Sequence, residues 1–449
     1  MSEWSGKRVL VVGLGLSGHA AARVLAELDA KVVVTEQAST PAIEERADSL
    51  RSRGVDVVTG RHQIGGVEAD VAIVSPGIPP SAPVVQELKA SGVPIMGEVE
   101  LAYSIARCDF LAVTGTNGKT TTTSLLAAML ERADIPSLAA GNIGLPLVDA
   151  VRSVPDGGAV AVEVSSFQLD AIETFRPKVA VVLNIAEDHT DWHGSFESYA
   201  RAKERIIENQ GPEDYFVYNH EDRAARHIAS RATSRLVPFS ADSTLTRGAW
   251  REGEAIVFDG HPLLPVDALP LAGVAGLEDA LAAAAAALSY GVREDAVADA
   301  IASFKPLPHR LEQVAFHDGI SYVDDSKATN PHASIAAVRG LENVALIAGG
   351  RSKGIDLTPL RETVPPVVHV VALGEARNEL EETFQGLVEV TLVDDMDEAV
   401  RAARGAVSGR GSVLLSPGCA SLDMYSSYAA RGKDFARAVM QLIREEAGD

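Results

Sequence analysis

The sequence predicts an α/β protein of three domains, each built around a mostly parallel sheet. Three observations predict it. Short β-branched apolar runs alternate with helical patterns from end to end, as in strands joined by crossover helices. That rhythm restarts twice, near Glu98 and again after the PLPHRLE stretch ending at Glu312. Finally, 449 residues exceed what one compact core organises. The expected boundaries are 1–97, 98–306 and 307–449.

In the first unit, RVLVVGL, KVVVTE, VDVVTG and VAIVSPG read as parallel strands, with a first crossover helix over His19–Leu28. In the second, FLAVTG is a strand leading into the helix TTTSLLAAMLERA, and AVAVEVS and VAVVLNI are two further buried strands. An alanine-rich helix follows Glu278 and Asp279, an acidic pair of the kind that often opens a helix. In the third unit, ISYVDDS, VALIAGG, VVHVVALG, VEVTLVD and SVLLSPG are strands separated by helical stretches.

Composition bounds the partners. Sixty-two acidic against forty basic residues give a net charge of −22, a field that repels nucleic acid and anionic membranes. The alanine-rich run is too short to span a bilayer. Only Cys108 and Cys419 are present, which points to a reducing cytoplasm.

Two glycine-rich turns each lie between a strand and a helix. In VVGLGLSG, Gly13 and Gly15 permit close backbone approach and Gly18 permits tight helix–strand packing, while Glu36 ends the next strand where a ribose-binding acid is expected. SPGIPP, from Ser75 to Pro80, ends another strand of the same crevice. A dinucleotide, a UDP or an adenosine group each fits this turn. The second turn, VTGTNGKTTTT, carries more information. Backbone N–H groups at Thr116, Asn117 and Gly118 point at phosphate oxygens, Lys119 reaches the β/γ-phosphates, and the Thr120 hydroxyl sits on magnesium. Val113 stands where the usual first glycine belongs, and Gly115 supplies flexibility two positions later. Around it, strand ends place Glu163, Asp188 and His189 as ligands for a hard cation, with Asn142 of GNIG on the same rim. The fold class is therefore N-terminal Rossmann-like, central P-loop ATPase-like, and C-terminal Rossmann-like.

GTNGKTTTT, GNIG, EVSSFQLD, NIAEDHTDWH and YARAKERI, in this order, resemble the Mur ligases, ATP-dependent amide ligases of peptidoglycan precursor synthesis. PHRLE, DDSKATNPHA, AGGRSKGID and SPGCASLDMYSSYAARG resemble the branch that adds D-glutamate to UDP-N-acetylmuramoyl-L-alanine, so the likeness spans all three units. The resemblance implies that Leu16, Ser17, Glu36, Ser75 and Gly77 bind the UDP-substrate, together with Asn142, Ser165 and His189. It implies ATP at Gly115, Thr116, Asn117, Gly118, Lys119, Thr120 and Thr121, with Asn142, Asp279, Arg310 and Asp325. Magnesium, at two sites, is implied near Thr120, Glu163, His189 and a Lys203 carbamylated by carbon dioxide; Lys119, Glu163, His189 and Lys203 would be the catalytic set. Thr329, Lys353, Ser421 and Tyr428 would receive glutamate, and His309, Ser326 and Lys327 fall in motifs flanking them. A cytoplasmic, monomeric enzyme is the expectation. One stretch departs from the pattern: Ala275, Gly276 and Asp279 stand where the family has glycine, His-Asn and a second asparagine that contacts adenine. A ligase adding L-glutamate or another acidic residue is the alternative. An NAD-dependent oxidoreductase is the reading from another class, and it leaves Lys119, Glu163, His189 and Lys203 unexplained.

Overall fold

The computed structural model describes residues 3–64, 68–271 and 273–447. Arg8–Val12 (β1), Lys31–Thr35 (β2), Asp56–Val58 (β3), Val71–Val74 (β4) and Ile95–Met96 (β5) form a parallel sheet in the order β3-β2-β1-β4-β5. Strand order reverses beside β1, so the turns after β1 and β4 face each other across a crevice. The first helix runs Leu16–Glu27, starting three residues earlier than His19 because the chain turns tightly at Gly13 and Gly15 and enters the helix at once.

The second sheet holds Asp109–Thr114 (β6), Ser137–Gly141 (β7), Ala159–Glu163 (β8), Val179–Val182 (β9), Tyr215–Asn219 (β10), Arg235–Ser240 (β11), Ala249–Glu252 (β12), Ala255–Phe258 (β13) and His261–Pro265 (β14). Their order is β14-β13-β12-β11-β10-β9-β6-β8-β7. It is parallel from β7 to β12, and β13 and β14 extend it antiparallel. Strand β6 lies between β8 and β9, so the loop that leaves it has Glu163 on one side and the polar end of VAVVLN on the other.

The helix Lys119–Arg132 packs with the helix Gly273–Tyr290 over this sheet, in a core that includes Leu125, Leu126, Met129, Leu281 and Phe239. Ala282 to Ala287 are all buried, and side chains that small let the helix lie close against the strands. This helix begins at Gly273, not after Asp279: the stripe Val274, Leu277 and Leu281 continues its apolar face on the N-terminal side of the acids.

Glu312–His317 (β15), Ile320–Asp324 (β16), Val344–Gly349 (β17), Val367–Leu373 (β18), Glu389–Leu392 (β19) and Gly411–Leu415 (β20) form the third sheet, in the order β15-β16-β20-β17-β18-β19. Only β15 runs antiparallel. Among the described residues, no helix is long and apolar enough to cross a membrane.

Candidate nucleotide-binding and ligation site

Strand β6 delivers a buried Thr114 to a loop whose conformation requires glycine at one point: Gly118 has φ 82° and caps the helix Lys119–Arg132. The loop is fixed from below by Asn184, just beyond β9. Thr116 N–H donates to its carbonyl at 2.8 Å, and Asn117 N–H to its Oδ1 at 2.9 Å. Lys119 curls back so that Nζ donates to the carbonyls of Gly115 (2.9 Å) and Thr116 (2.8 Å). Burial pushes its pKa down, opposed by Glu163 and Asp188.

Glu163, only 2% exposed, is the carboxylate of the site. The Thr120 hydroxyl donates to one oxygen at 2.8 Å and Asn142 Nδ2 to the other at 2.9 Å. Both donors are neutral, and no lysine or arginine forms an ion pair with Glu163 among the described residues. A buried anion with a hydroxyl beside it is the donor chemistry a hard cation needs. His189 stands at the neighbouring strand edge with φ 52°, its ring 4.8 Å from Phe167, and burial lowers its pKa. Its Nε2 is 3.8 Å from Asp188.

Lys203 lies on the helix Phe196–Glu204 and is 1% exposed. Its Nζ donates to the Gly115 carbonyl at 2.7 Å and lies 4.7 Å from the centre of the Tyr199 ring. Burial, then the charge of Lys119, holds its pKa well below the usual lysine value. That environment weakens the hold of the amine on its proton.

The third domain meets the loop directly. Arg310 Nη2 donates to Thr120 Oγ1 at 2.5 Å. Asn117 Nδ2 lies 2.9 Å from His332 Nδ1 and 3.3 Å from Asn330 Oδ1, and Asn330 also donates to Asp188 at 3.2 Å. Between the domains runs a cleft lined by Asn117, Gly118, Thr121, Asp279, Arg310, Asp325 and Lys327, with Ala275, Gly276, Ala333 and Ala336 as apolar wall. Asp325 accepts from Ser416 Oγ at 2.9 Å, and burial raises its pKa to about 7. Lys327 Nζ lies 4.1 Å from the Tyr428 ring centre, and burial lowers its pKa to about 8.

The expected glutamate residues come from three strand-end loops of one sheet. Thr329 follows β16, Lys353 follows β17 with φ 56°, and Ser421 follows β20, where Arg351 and Ala420 exchange backbone hydrogen bonds at 2.8 and 3.0 Å. Arg431, buried and without an ion-pair partner among the described residues, joins these loops by donating to Ser326 Oγ and O, Gly349 O and Cys419 O. Tyr428 is 36% exposed at the start of the same helix.

The first glycine turn is a separate crevice. A Cβ on Gly18 would lie 1.9 Å from the Gly13 carbonyl, and one on Gly13 2.6 Å from Ser75 Oγ. Glu36 is occupied by the chain itself, accepting from Leu14 N–H at 2.6 Å and Ala38 N–H at 2.8 Å. Leu16 is 66% exposed, an apolar surface at a helix N-terminus, with Ser17 next to it. Gly77 has open space around it. Ser165 caps a short helix in a capping box with Gln168. Asn184, Asn330, His332 and Arg46, whose Nη1 reaches the Leu14 carbonyl at 3.2 Å, were not among the residues expected from the sequence. Asn330 caps the helix Pro331–Val338, and asparagine before proline in TNPHA is the local signal for that cap.

Comparison with known proteins gives these motifs a context. Residues 7–97 match the MurD-like Mur ligase N-terminal domain, residues 113–287 the Mur ligase middle domain, and residues 309–419 the Mur ligase glutamate ligase domain. A UDP-N-acetylmuramoylalanine–D-glutamate ligase of Caldanaerobacter subterraneus is 38% identical, over 98% of this chain and 100% of that one. A protein of the same name from Acidobacterium capsulatum is 41% identical, over 98% and 97%. The MurF ligase of Thermotoga maritima, solved in complex with ADP, shares the fold with a TM-score of 0.62 at 16% identity, over 99% of this chain and 100% of that one. With all three domains matched in order along the chain, it belongs to the Mur ligase family.

Proposed function

We propose that the chain is an ATP-dependent ligase that joins D-glutamate to the alanine carboxylate of UDP-N-acetylmuramoyl-L-alanine. The observation that carries this reading is full-length likeness to D-glutamate ligases, combined with a phosphate loop whose Thr120 is bonded to a buried Glu163. The alanine carboxylate attacks the γ-phosphorus of ATP, giving an acyl phosphate and ADP. The glutamate amine then attacks the acyl carbon, loses a proton, and phosphate leaves.

This chain's residues divide that work. Backbone N–H groups at Gly118 to Thr121, the helix N-terminus, hold the phosphates, while those of Thr116 and Asn117 fix the loop to Asn184, and Lys119 swings from its carbonyl contacts to the transferring group. Thr120, Glu163 and His189 are suited to hold magnesium, whose charge offsets that of the crowded phosphate oxygens when it is bound. Lys203, whose buried amine gives up its proton more readily than an exposed lysine, is the candidate for carbamylation: its deprotonated nitrogen adds to the carbon of carbon dioxide and the released proton goes to solvent. The resulting anion would lie beside Lys119 and offer a second cation oxygen ligands. Arg310, Asp325 and Asp279 line the nucleotide cleft. Thr329, Lys353, Ser421 and Tyr428 are assigned to glutamate, and Leu16, Ser17, Glu36, Ser75, Gly77, Asn142 and Ser165 to the UDP-substrate. The exposed Leu16 supports the latter as a face for a flat ring. Three domains with boundaries at 97/98 and 306/307, acting as a cytoplasmic monomer, complete the reading. Closure of the third domain excludes water from a hydrolysable acyl phosphate.

The test is phosphate release with ATP, magnesium, UDP-N-acetylmuramoyl-L-alanine and either enantiomer of glutamate. Release is expected with D-glutamate and lost in Lys119→Ala. Release independent of D-glutamate refutes the proposal, and preference for L-glutamate selects the alternative ligase.

A further inference from the structure

Asp279 is, with Ala275 and Gly276, one of the residues by which this chain departs from its family's pattern, and its surroundings are unusual for a carboxylate. It projects from the second turn of Gly273–Tyr290 toward the start of another helix. Its Oδ1 accepts from Thr122 Oγ1 at 3.2 Å and lies only 2.2 Å from where a Cβ on Gly118 would be. No lysine or arginine forms an ion pair with it among the described residues. Arg310, the cation across the cleft, is spent on Thr120, and Lys119 on two carbonyls. Glu278 lies beside it on its own helix, and Thr121 and Thr122 of the loop helix hydrogen-bond to it. Of the groups lining the same cleft, Asp325, Lys327 and His332 come from the third domain.

We propose that Asp279 acts as a neutral carboxylic acid at the cleft face of the phosphate loop, and that nucleotide binding therefore retains or takes up a proton there. The inference rests on the nucleotide-binding reading of the loop. Two effects of a bound nucleotide drive it. Phosphates at the N-terminus of Lys119–Arg132 place negative charge at the same helix end that an ionised Asp279 would face. A base packed against the apolar wall of the cleft expels water that would solvate that ion. In the neutral form the same side chain offers an O–H donor as well as an acceptor, which restores the two-way hydrogen bonding of an asparagine amide. Burial already raises its pKa to about 8, with Glu278 adding to the effect and Arg310 opposing it.

The experiment is calorimetry of ADP binding from pH 6.5 to 9.5, in buffers of different ionisation enthalpy. Wild-type protein is expected to take up protons on binding near pH 8 to 9, with affinity falling toward tenfold per pH unit above the transition. Asp279→Asn should remove that uptake and flatten the alkaline limb. Uptake that survives in Asp279→Asn belongs to another group of the cleft, Asp325, Lys119 or Lys327, and overturns the proposal. So does a wild-type profile without uptake, a measurement that needs no variant to fold. ADP binding without proton uptake overturns this inference alone, whereas no ADP binding at any pH overturns the nucleotide reading as well.

Discussion

Gly118→Ala puts the geometry of the phosphate loop to a quantitative test. At φ 82° an alanine occupies the left-handed region, which costs about 1–2 kcal/mol. Its Cβ would also lie 2.2 Å from Asp279 Oδ1 and 3.0 Å from Leu183 Cδ1, an overpacking that adds about 1–3 kcal/mol. If the loop holds its place, the total of about 2–5 kcal/mol appears as a lower thermal midpoint. If the loop gives way, the same energy appears as ADP affinity reduced by a factor between about 30 and several thousand. Calorimetric ADP affinity and the midpoint must therefore be measured together. Combining Gly118→Ala with Asp279→Ala removes the carboxylate clash but not the strained φ, so the double-mutant cycle should return at least about 1 kcal/mol. A Gly118→Ala protein with both quantities unchanged, or a cycle with no coupling, would refute the loop geometry described here.

Three further outcomes follow from the same structure. Lys203→Ala should lose phosphate release that added bicarbonate does not restore, while ADP affinity changes by less than about threefold; full activity in the variant would overturn the carbamate assignment. Lys353→Ala should raise the apparent KM for glutamate about tenfold or more with a smaller change in kcat, which steady-state kinetics with varied glutamate reads directly. Glu278→Gln should raise the thermal midpoint at pH 8 but not at pH 4. Burial lifts the Glu278 pKa from 4.5 to about 7. Wild-type stability therefore falls as pH rises through that interval, whereas glutamine has no charge to bury. Equal gains at both pH values would show that the effect is packing.

The parts of the site that could be read in the sequence are those governed by local chemistry. A strand, a glycine turn and a threonine-rich helix start define the phosphate loop, and Glu163 was visible because it ends a buried strand. Lys203 shows where local reading stops. On a helix with charged neighbours it reads as one more solvated cation, and only the resemblance singled it out. Its burial arises because Tyr199 and Lys203, four residues apart, turn the same face of Phe196–Glu204 under the loop. Asn117 appeared as a phosphate ligand alone, since its bonds to Asn330 and His332 cross more than two hundred residues of chain. The antiparallel β12–β14 extension had a usable signal in Asp259-Gly260, both at positive φ, a pairing that favours tight hairpins. The start of the alanine-rich helix was misread for a different reason. The acids Glu278 and Asp279 imitate a helix N-terminus, but Asp279 stands at the N-terminus of another helix.

Asn117 holds two domains with one residue: its backbone rests on Asn184 of the central sheet, and its amide group reaches Asn330 and His332 of the third domain. Thermodynamic reciprocity attaches a consequence to that arrangement. Whatever free energy docking of the third domain adds to nucleotide affinity, a bound nucleotide must return in full as a bias toward the docked state. The two equilibria share one coupling term, so if His332→Ala lowers that term, the gain in nucleotide affinity on docking and the gain in docking on nucleotide binding should fall by the same factor.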